Sequence, residues 1–191
     1  TRPRMLDCKG AESFIGKGIS TCATCDGFFF KNKSVLVVGG GNTALTDALY
    51  LSNICSHVYV SYRRDNLRGE PLKIKRLKSK ENVTILYNSI VKEIIGRDVI
   101  EKVSLTVDDT PKEINVSGVF VAIGSIPNTE LIKDLVTLDQ NGYALSNYQL
   151  ETTVPGLYVA GDVREKNVRQ LTTAVSDGTI VSKEILDYLE S

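Results

Sequence analysis

The order of four consecutive segments constrains the fold of this chain more than any other feature. An apolar, β-branched run at 35–38 ends in three glycines, Gly39 to Gly41, and such runs are typical of strands buried on both faces. A helical pattern follows from about Asn42 to Asn53, and a second apolar run follows at 58–62. Two parallel strands joined by a helix form a βαβ unit, so we expect an α/β fold.

The three glycines open a turn that suits a dinucleotide. Residues 39–44 fit the pattern G-x-G-x-x-A. The first glycine permits a tight turn out of the strand, Gly41 lets backbone N–H groups approach a pyrophosphate, and the small Ala44 lets helix and strand pack closely. The pyrophosphate then lies at the positive end of the helix. The candidate nucleotide-binding residues of this turn are Gly39, Gly41, Asn42, Thr43 and Ala44.

Arginines follow the second strand, where the residue that selects between NAD and NADP is expected. Arg63 and Arg64 come directly after it and Arg68 lies close behind, whereas a possible NAD-type acid, Asp65, lies past the strand. A guanidinium binds a 2′-phosphate through paired, charge-assisted hydrogen bonds, each contributing about 1.5–3 kcal/mol. We therefore expect NADP(H). The alternative is a solvated basic surface, because residues 63–80 carry eight Lys and Arg against two acids.

Two of the four cysteines form the sequence Cys22-Ala23-Thr24-Cys25. In an intracellular protein a C-x-x-C pair indicates redox or metal chemistry, and its disulfide ring is small and reducible. Asp26 follows directly and is a candidate proton donor for the thiolate that disulfide exchange releases. It equally fits the first position of an Asp-Gly turn.

No metal site is predicted, since a structural zinc needs four ligands. Outside the pair the chain has only Cys8, Cys55 and His57, and none of them is at the spacing of a zinc knuckle. Cys55 ends the apolar face of the helix, which predicts a buried structural thiol, and His57 begins a strand. The aromatic run at 28–30 predicts core residues.

The composition restricts the function classes. The chain has 23 Lys and Arg against 23 Asp and Glu, so its formal net charge is zero. That balance argues against a protein that binds nucleic acid or an anionic membrane through bulk charge. No apolar stretch reaches the roughly 18 residues of a membrane-spanning helix. We therefore expect neither nucleic acid nor a membrane among its partners.

The remaining sequence predicts a helix from Pro71 to about Lys80 and then a series of short strands. The strands are expected at 83–87, 90–95, 99–107, 113–116 and 118–123. A break rich in turn formers at 124–128 marks a domain boundary. Beyond it, residues 136–145 predict a hairpin around Asn141-Gly142, residues 157–160 a strand, and residues 170–189 a closing helix.

Taken together in this order, the motifs resemble the low-molecular-weight thioredoxin reductases, within the pyridine nucleotide–disulfide oxidoreductases. The resemblance covers nearly the whole chain. The family's arginine motif usually opens with His, and this chain has Tyr62 there. The matching segments are Cys22 to Phe29, Gly39 to Ala48, the arginines at 63, 64 and 68, Ala122-Ile123-Gly124 with Pro127-Asn128, Pro155 to Val163, and Arg169-Gln170.

The resemblance implies an NADPH-dependent enzyme that reduces thioredoxin, with FAD as the relay between NADPH and the cysteine pair. It implies that Cys25 is the flavin-side thiol, Cys22 the thiol that exchanges with thioredoxin, and Asp26 the acid–base. It also implies a cytoplasmic location and a homodimer of the full-length parent. By the same resemblance Ile123 and Gly124 join the NADPH site, and FAD contacts fall to Gly161, Asp162, Arg169, Gln170 and Leu171.

The implied fold is α/β, with a Rossmann-like, three-layer NADPH-binding domain that has a β-meander crossover at 5–126. The C-terminal part of a second, FAD-binding Rossmann-like domain is expected at 127–191 with residues 1–4. The family carries an earlier glycine-rich turn for the ADP half of FAD, and we expect that part to be missing here. The cysteine pair and the NADPH turn must both reach one flavin, so their domain is expected to rotate about linkers near 5–10 and 124–128.

Two other functions fit the same residues. The reductase of a peroxiredoxin system resembles this chain, but it tends to lack the arginine set and to favour NADH. A non-catalytic NADPH-binding module is the alternative from a different class, because the ADP-binding half of the FAD site is expected to be absent.

Overall fold

The computed structural model of this protein describes residues 1–190, and these form two compact units. The larger unit comprises Arg4–Gly124. The smaller unit comprises Thr1–Pro3 together with the residues from Ser125 onward.

The secondary structure is numbered here in chain order. The strands are β1 (Arg2–Pro3), β2 (Ile19–Ser20), β3 (Ser34–Val38), β4 (His57–Ser61), β5 (Val83–Leu86), β6 (Ser89–Gly96), β7 (Ile100–Val107), β8 (Thr110–Asn115), β9 (Gly118–Val121) and β10 (Ser125–Ile126). The helices are α1 (Ala23–Asp26), α2 (Asn42–Leu51), α3 (Pro71–Lys78) and α4 (Leu171–Glu190), with 3₁₀ turns at Glu12–Phe14, Gly27–Phe30 and Gly161–Val163.

A parallel sheet of five strands, in the order β2-β9-β3-β4-β5, forms the centre of the larger unit. Side chains alternate across a strand, so β3 contributes to two cores. Val35 and Val37 pack with α2 and α3 on one face. Leu36 packs with the strands β6 to β8 on the other face. The buried, β-branched run therefore forms a strand covered on both sides, as the sequence predicts.

The other covering layer is an antiparallel meander of β6, β7 and β8. Asp108 and Asp109, which join β7 to β8, both have positive φ (47° and 60°), a conformation that Asp tolerates in tight turns. Val103 and Leu105 of β7 are fully buried beneath the sheet. Helices, parallel sheet and meander make three layers, which confirms the predicted α/β fold with its meander crossover.

Several element boundaries differ from the sequence-based expectations. The helix α2 ends at Leu51, two residues early, and β8 begins at Thr110 rather than 113. In the smaller unit the expected hairpin forms only one bridge, Leu138 to Ala144, and the expected strand at 157–160 forms only one, Tyr158 to Glu151. Strand length depends on distant pairing partners, which local patterns do not report.

The helix α4 is the largest element of the smaller unit. The core of that unit is small and centres on Val136, Ala144 and Val159. Only Asp177 of α4 is buried, and apolar residues such as Leu171 and Leu189 lie exposed. Within residues 1–190, no helix combines the length and the apolar character needed to cross a membrane.

Asp47 of α2 lies half-buried and has no hydrogen-bond or ion-pair partner within residues 1–190. Burial raises the pKa of this carboxyl to about 6. Since an unfolded Asp titrates near pH ~3.9, ionising Asp47 costs free energy only in the folded state. Stability contributed by this group is therefore lost as pH rises from about 4 to about 6.

Asp47→Asn is accordingly expected to raise the free energy of unfolding at pH 7 by about 1–2 kcal/mol. The gain should vanish near pH 4, where the wild-type carboxyl is protonated. Urea unfolding at the two pH values measures both. Asp98→Asn, at an exposed loop position of the same unit, serves as the control and should change neither value. An increase in the free energy of unfolding at pH 4 equal to that at pH 7 would contradict the raised pKa of Asp47.

Candidate functional site

Cys22 and Cys25 form a disulfide at the start of α1. Cys22 is the N-cap residue, and its sulfur accepts a hydrogen bond from the Cys25 backbone N–H at 3.2 Å. Ala23 and Gly27 are buried one helical turn apart, so this face of α1 is held against the core. Cys25 is exposed and Cys22 half-buried. The disulfide therefore lies at the surface of its unit on a fixed support.

Asp26 is tied to the same cysteine through a serine. The Ser20 hydroxyl donates to Asp26 Oδ2 at 2.7 Å and accepts the Cys22 backbone N–H at 3.1 Å. Ser20 is itself buried, at the end of β2. This fixes the Asp26 carboxylate beside the disulfide loop. Sequence reasoning missed Ser20, because a serine two residues before a cysteine carries no distinctive pattern.

Ser20→Ala is expected to slow the reduction of the Cys22–Cys25 disulfide by dithiothreitol about fivefold. The reason is that one hydrogen bond of about 1 kcal/mol then no longer holds the Asp26 carboxyl group, which donates the proton when it is protonated. Alkylation followed by mass spectrometry measures the rate. Ser13→Ala, at an exposed position of the same unit, is the control. An unchanged rate in a folded Ser20→Ala protein would contradict the role of Ser20 in holding Asp26.

The other two cysteines are separate from this loop. Cys55 is buried, as predicted, and burial raises the pKa of its thiol to about 11. Burial and the nearby Asp7 also raise the pKa of Cys8. His57 Nε2 pairs with the Thr84 hydroxyl at 2.9 Å. Over the part of the chain that the structure describes, no cluster of three His, Cys, Asp or Glu side chains could hold a metal ion.

The aromatic run after the disulfide differs from its predicted role. Only Phe30 packs inward, edge-on to Phe120 with ring centroids 5.3 Å apart. Phe28 and Phe29 are 68% and 73% exposed. The expectation of three core residues was wrong because the 3₁₀ turn Gly27–Phe30 directs successive side chains around its axis. Two exposed aromatic side chains thus follow the second cysteine of the disulfide by three and four residues.

The glycine-rich turn joins β3 to α2. Gly39 has φ +146°, and a Cβ there would lie 2.3 Å from the Ala122 carbonyl oxygen, so only glycine fits. A Cβ at Gly40 would overlap the Tyr62 ring at 2.4 Å. In contrast, a Cβ at Gly41 would meet nothing within 4 Å. The turn is therefore packed on one side and open above Gly41.

The first turn of α2 faces this open space. Gly41 is its N-cap residue and supplies no side-chain cap, so the N–H groups of Asn42, Thr43 and Ala44 lack helical acceptors. Ala44 is fully buried, whereas Asn42 and Thr43 are exposed. An uncapped helix N-terminus beside an open glycine fits the pyrophosphate of a dinucleotide.

The segment after β4 folds back over the turn. The Arg68 backbone N–H donates to the Gly40 carbonyl at 2.7 Å. The side chains of Arg63, Arg64 and Arg68 are exposed. Within residues 1–190 none of the three guanidinium groups has a hydrogen-bond or ion-pair partner. These free cations fit a phosphorylated ligand.

One edge of the parallel sheet brings these groups together. The carboxyl ends of parallel strands share an edge, where ligands bind in open α/β sheets. Cys22 follows β2, Ile123 and Gly124 follow β9, the glycines follow β3, and the arginines follow β4. Only β9 separates β2 from β3, so their ends lie about 10 Å apart at the usual strand spacing. Sequence reasoning missed β2, which is only two residues long.

The smaller unit carries a second polar cluster, centred on Asp177. Its carboxylate accepts the Gly161 N–H at 2.9 Å, two Arg164 N–H groups at 2.8 Å each, and Lys166 Nζ at 3.0 Å. These contacts, above all the Arg164 hydrogen bonds, hold the pKa of Asp177 well below its usual range. Asp177 thereby fixes the turn Gly161–Val163 to α4. Asp177, Arg164 and Lys166 were not singled out in the sequence.

Two buried polar atoms near this cluster lack hydrogen-bond partners within residues 1–190: Asp162 Oδ1 and Arg169 Nε. Asp162 Oδ1 lies 3.6 Å from Lys166 Nζ, within ion-pair distance only. The Arg169 guanidinium stacks 3.8 Å from the Tyr143 ring centroid. Buried polar atoms are normally bonded to protein, water, an ion or a ligand, so this turn has polar atoms available for the hydroxyl-rich end of a cofactor. Two further residues expected to contact FAD have no such unpartnered buried atom within residues 1–190. The Gln170 backbone N–H donates to Thr173 Oγ1, and Leu171 is exposed.

Comparison with known proteins identifies a family. Residues 1–178 match the family model of the pyridine nucleotide-disulphide oxidoreductases. Curated relatives include the thioredoxin reductase of Mycoplasma genitalium, which is 41% identical over 187 residues, covering 96% of this chain and 59% of the relative. The thioredoxin reductase of Listeria monocytogenes is 37% identical, covering 98% and 60%.

Solved structures agree with these relatives. The thioredoxin reductase of Streptococcus pyogenes superposes with a TM-score of 0.89 at 38% identity, covering 99% of this chain and 63% of the other. That of Giardia duodenalis superposes with a TM-score of 0.91 at 31% identity, covering 100% and 63%. The chain thus spans about three fifths of the length of the relatives it matches.

Proposed function

Since this chain belongs to the pyridine nucleotide-disulphide oxidoreductases, we propose that the whole protein is an NADPH-dependent thioredoxin reductase. Electrons pass from NADPH through FAD to the Cys22–Cys25 disulfide and on to thioredoxin. The observation that carries the proposal is the shared sheet edge, where the disulfide, the open glycine-rich turn and the free arginines follow neighbouring parallel strands. The NADPH and redox functions are assigned to residues 5–126, and the FAD function to 127–191 with 1–4.

The NADPH site is proposed to consist of the turn, the first turn of α2 and the arginine segment. The pyrophosphate is held by N–H groups of Gly41 to Ala44 above the open side of the turn, and Gly39 shapes that turn. The 2′-phosphate is held by Arg63, Arg64 and Arg68, whose guanidinium groups have no competing partner within residues 1–190. Ile123 and Gly124 are proposed to border the site, because they follow β9, the strand that pairs with β3.

The thiol chemistry follows from the disulfide loop. When bound, NADPH supplies a hydride and FAD passes its two electrons to the disulfide. Reduction breaks the Cys22–Cys25 bond and leaves two sulfurs, of which Cys25 is assigned to the flavin side. The Cys22 thiolate then attacks the thioredoxin disulfide, forms a mixed disulfide and releases a thioredoxin thiolate. Asp26, held by Ser20 at 2.7 Å, is assigned to protonate the released thiolate.

Cys25 then attacks the mixed disulfide, which re-forms the Cys22–Cys25 bond and releases the second thioredoxin sulfur. The sum is two electrons and two protons delivered to one thioredoxin disulfide. The exposed pair Phe28 and Phe29 supports docking of a protein substrate, because exposed aromatic side chains are enriched at interfaces.

The FAD contacts are assigned to the turn of the smaller unit. Asp162 Oδ1 and Arg169 Nε, which lack a hydrogen-bond partner within residues 1–190, are the atoms proposed to bind the cofactor's hydroxyl and carbonyl groups, while Gly161, Gln170 and Leu171 complete the lining. The hydrogen bond from the Gly161 N–H to Asp177 fixes the backbone directly before Asp162. By resemblance to the family, the proposal further includes a homodimer located in the cytoplasm.

The proposal is tested by steady-state reduction of thioredoxin by the whole protein with NADPH or NADH. NADPH is expected to give a kcat/KM at least tenfold higher, because the three arginines each add charge-assisted contacts to the 2′-phosphate. Equal or better use of NADH would reject the NADPH assignment and favour the reductase of a peroxiredoxin system. NADPH binding with no bound flavin in the whole protein would favour a binding module.

A further inference from the structure

We propose that Gly69 is a positioning residue for Arg68. Its close packing against Leu45 of α2 determines the position of Arg68 relative to the glycine-rich turn. Through Arg68 it sets the preference for NADP over NAD. This inference rests on the proposed function, because it takes the arginines as the 2′-phosphate site.

Gly69 has no room for a side chain. A Cβ there would lie 2.1 Å from Leu45 Cδ1 and 2.9 Å from Asn42 Oδ1. The φ of Gly69 is outside the left-handed region, so the constraint comes from space and not from backbone conformation. Leu45 is fully buried in the core between the sheet and the helices. Its methyl groups therefore cannot withdraw without opening or crowding that core.

Both neighbours of Gly69 are bonded to the nucleotide turn. The Arg68 N–H donates to the Gly40 carbonyl at 2.7 Å, and the Glu70 N–H donates to Asn42 Oδ1 at 2.8 Å. Gly40 is in turn packed against the ring of Tyr62, at the start of the arginine segment. The arginine segment is thus held by a hydrogen bond on either side of Gly69, and Gly69 itself packs against Leu45.

A methyl group at position 69 has two ways to be accommodated. Leu45 can move into an already filled core, or the segment can lift from the turn and lengthen both hydrogen bonds. Lifting displaces the Arg68 backbone and its guanidinium. Charge-assisted hydrogen bonds weaken steeply once their distance and angle are lost, so the 2′-phosphate contact suffers. The segment bonds to the Gly40 carbonyl and the Asn42 side chain, so the backbone N–H groups assigned to the pyrophosphate are not among its partners.

The test measures binding of NADP⁺ and of NAD⁺, which differ only in the 2′-phosphate, to the full chain by calorimetry. Wild type is expected to bind NADP⁺ at least tenfold more tightly. Gly69→Ala should cut that ratio about tenfold and leave the NAD⁺ affinity within about twofold. Gly178→Ala is the matched control, since a Cβ there would meet nothing within 4 Å, and it should leave both affinities unchanged.

Two double variants separate positioning from general damage. Leu45→Val with Gly69→Ala removes the clash and should restore the ratio to within about threefold of wild type. In an Arg68→Gln background, Gly69→Ala should lower the ratio no further, because it acts through Arg68. If Gly69→Ala alone fails to fold, the Leu45→Val double variant still tests the idea.

The outcomes are distinct. The role of Gly69 alone is overturned if Gly69→Ala has the wild-type ratio of NADP⁺ to NAD⁺ affinity. It is also overturned if the folded Leu45→Val, Gly69→Ala double variant does not regain the preference for NADP⁺. Equal affinities of the wild-type chain for NADP⁺ and NAD⁺ overturn the arginine assignment in the proposed function, and this inference with it.

Discussion

Cys22→Ser is expected to reduce NADPH-dependent thioredoxin reduction by the whole protein to background, a loss of at least about a thousandfold. Serine cannot form a disulfide with Cys25, and its hydroxyl does not attack a disulfide at neutral pH. The electrons from NADPH then have no route to the protein substrate. An activity assay with thioredoxin, run beside a measurement of NADPH affinity, checks both parts of the expectation.

The affinity for NADPH should stay within about twofold of wild type, because the glycine-rich turn follows β3 and the cysteine follows β2. Cys8→Ser is the matched control. Cys8 is half-buried and outside the disulfide, and this variant should keep near-wild-type activity. A Cys22→Ser protein that still reduces thioredoxin would contradict the assigned role, as would one that loses NADPH binding.

Asp177→Asn is expected to lower the stability of the smaller unit by about 3–5 kcal/mol. The Asp177 side chain is 6% exposed and balances Arg164 and Lys166, whose side chains are 20% and 8% exposed. An amide cannot neutralise either cation. Within residues 1–190 the variant leaves Arg164 without a carboxylate partner and Lys166 with only the more exposed Asp162, at 3.6 Å. Urea unfolding followed by circular dichroism measures the loss, since α4 is the longest helix.

Asp187→Asn on the same helix is the control for this effect. Asp187 pairs with Lys183, but both side chains are largely exposed, so its loss should change the free energy of unfolding far less than Asp177→Asn does. The Arg164 hydrogen bonds lower the pKa of Asp177. Its stabilisation is thus complete above the unfolded pKa of about 3.9 and is lost as pH falls below it. Equal losses of stability in Asp177→Asn and Asp187→Asn would contradict the stabilising role of the Asp177 ion pairs.

The βαβ unit could be predicted because its signals are local. A buried run, three glycines and a helical period specify β3, the turn and α2, and the structure places them within two residues of the predicted bounds. The cysteine pair and arginines are likewise visible as short motifs. Each requires only residue type and spacing, which the sequence displays directly.

Contacts between distant segments could not be predicted in this way. Ser20 reaches Asp26 only because β2 ends beside α1, and Gly69 meets Leu45 only because the arginine segment folds back. The exposure of Phe28 and Phe29 depends on a 3₁₀ turn that an apolar run does not announce. In the smaller unit, Asp177 joins residues up to 16 positions away. These positions carry no pattern of their own, since their roles arise from packing.

The central claim is that electrons from NADPH arrive at the Cys22–Cys25 disulfide. The most direct test incubates the whole protein, loaded with FAD, with NADPH in the absence of oxygen and then alkylates its thiols. Peptide mass spectrometry should show two new labels, at Cys22 and Cys25, that are absent without NADPH. Labelling confined to Cys8, or no label that depends on NADPH, would contradict the account.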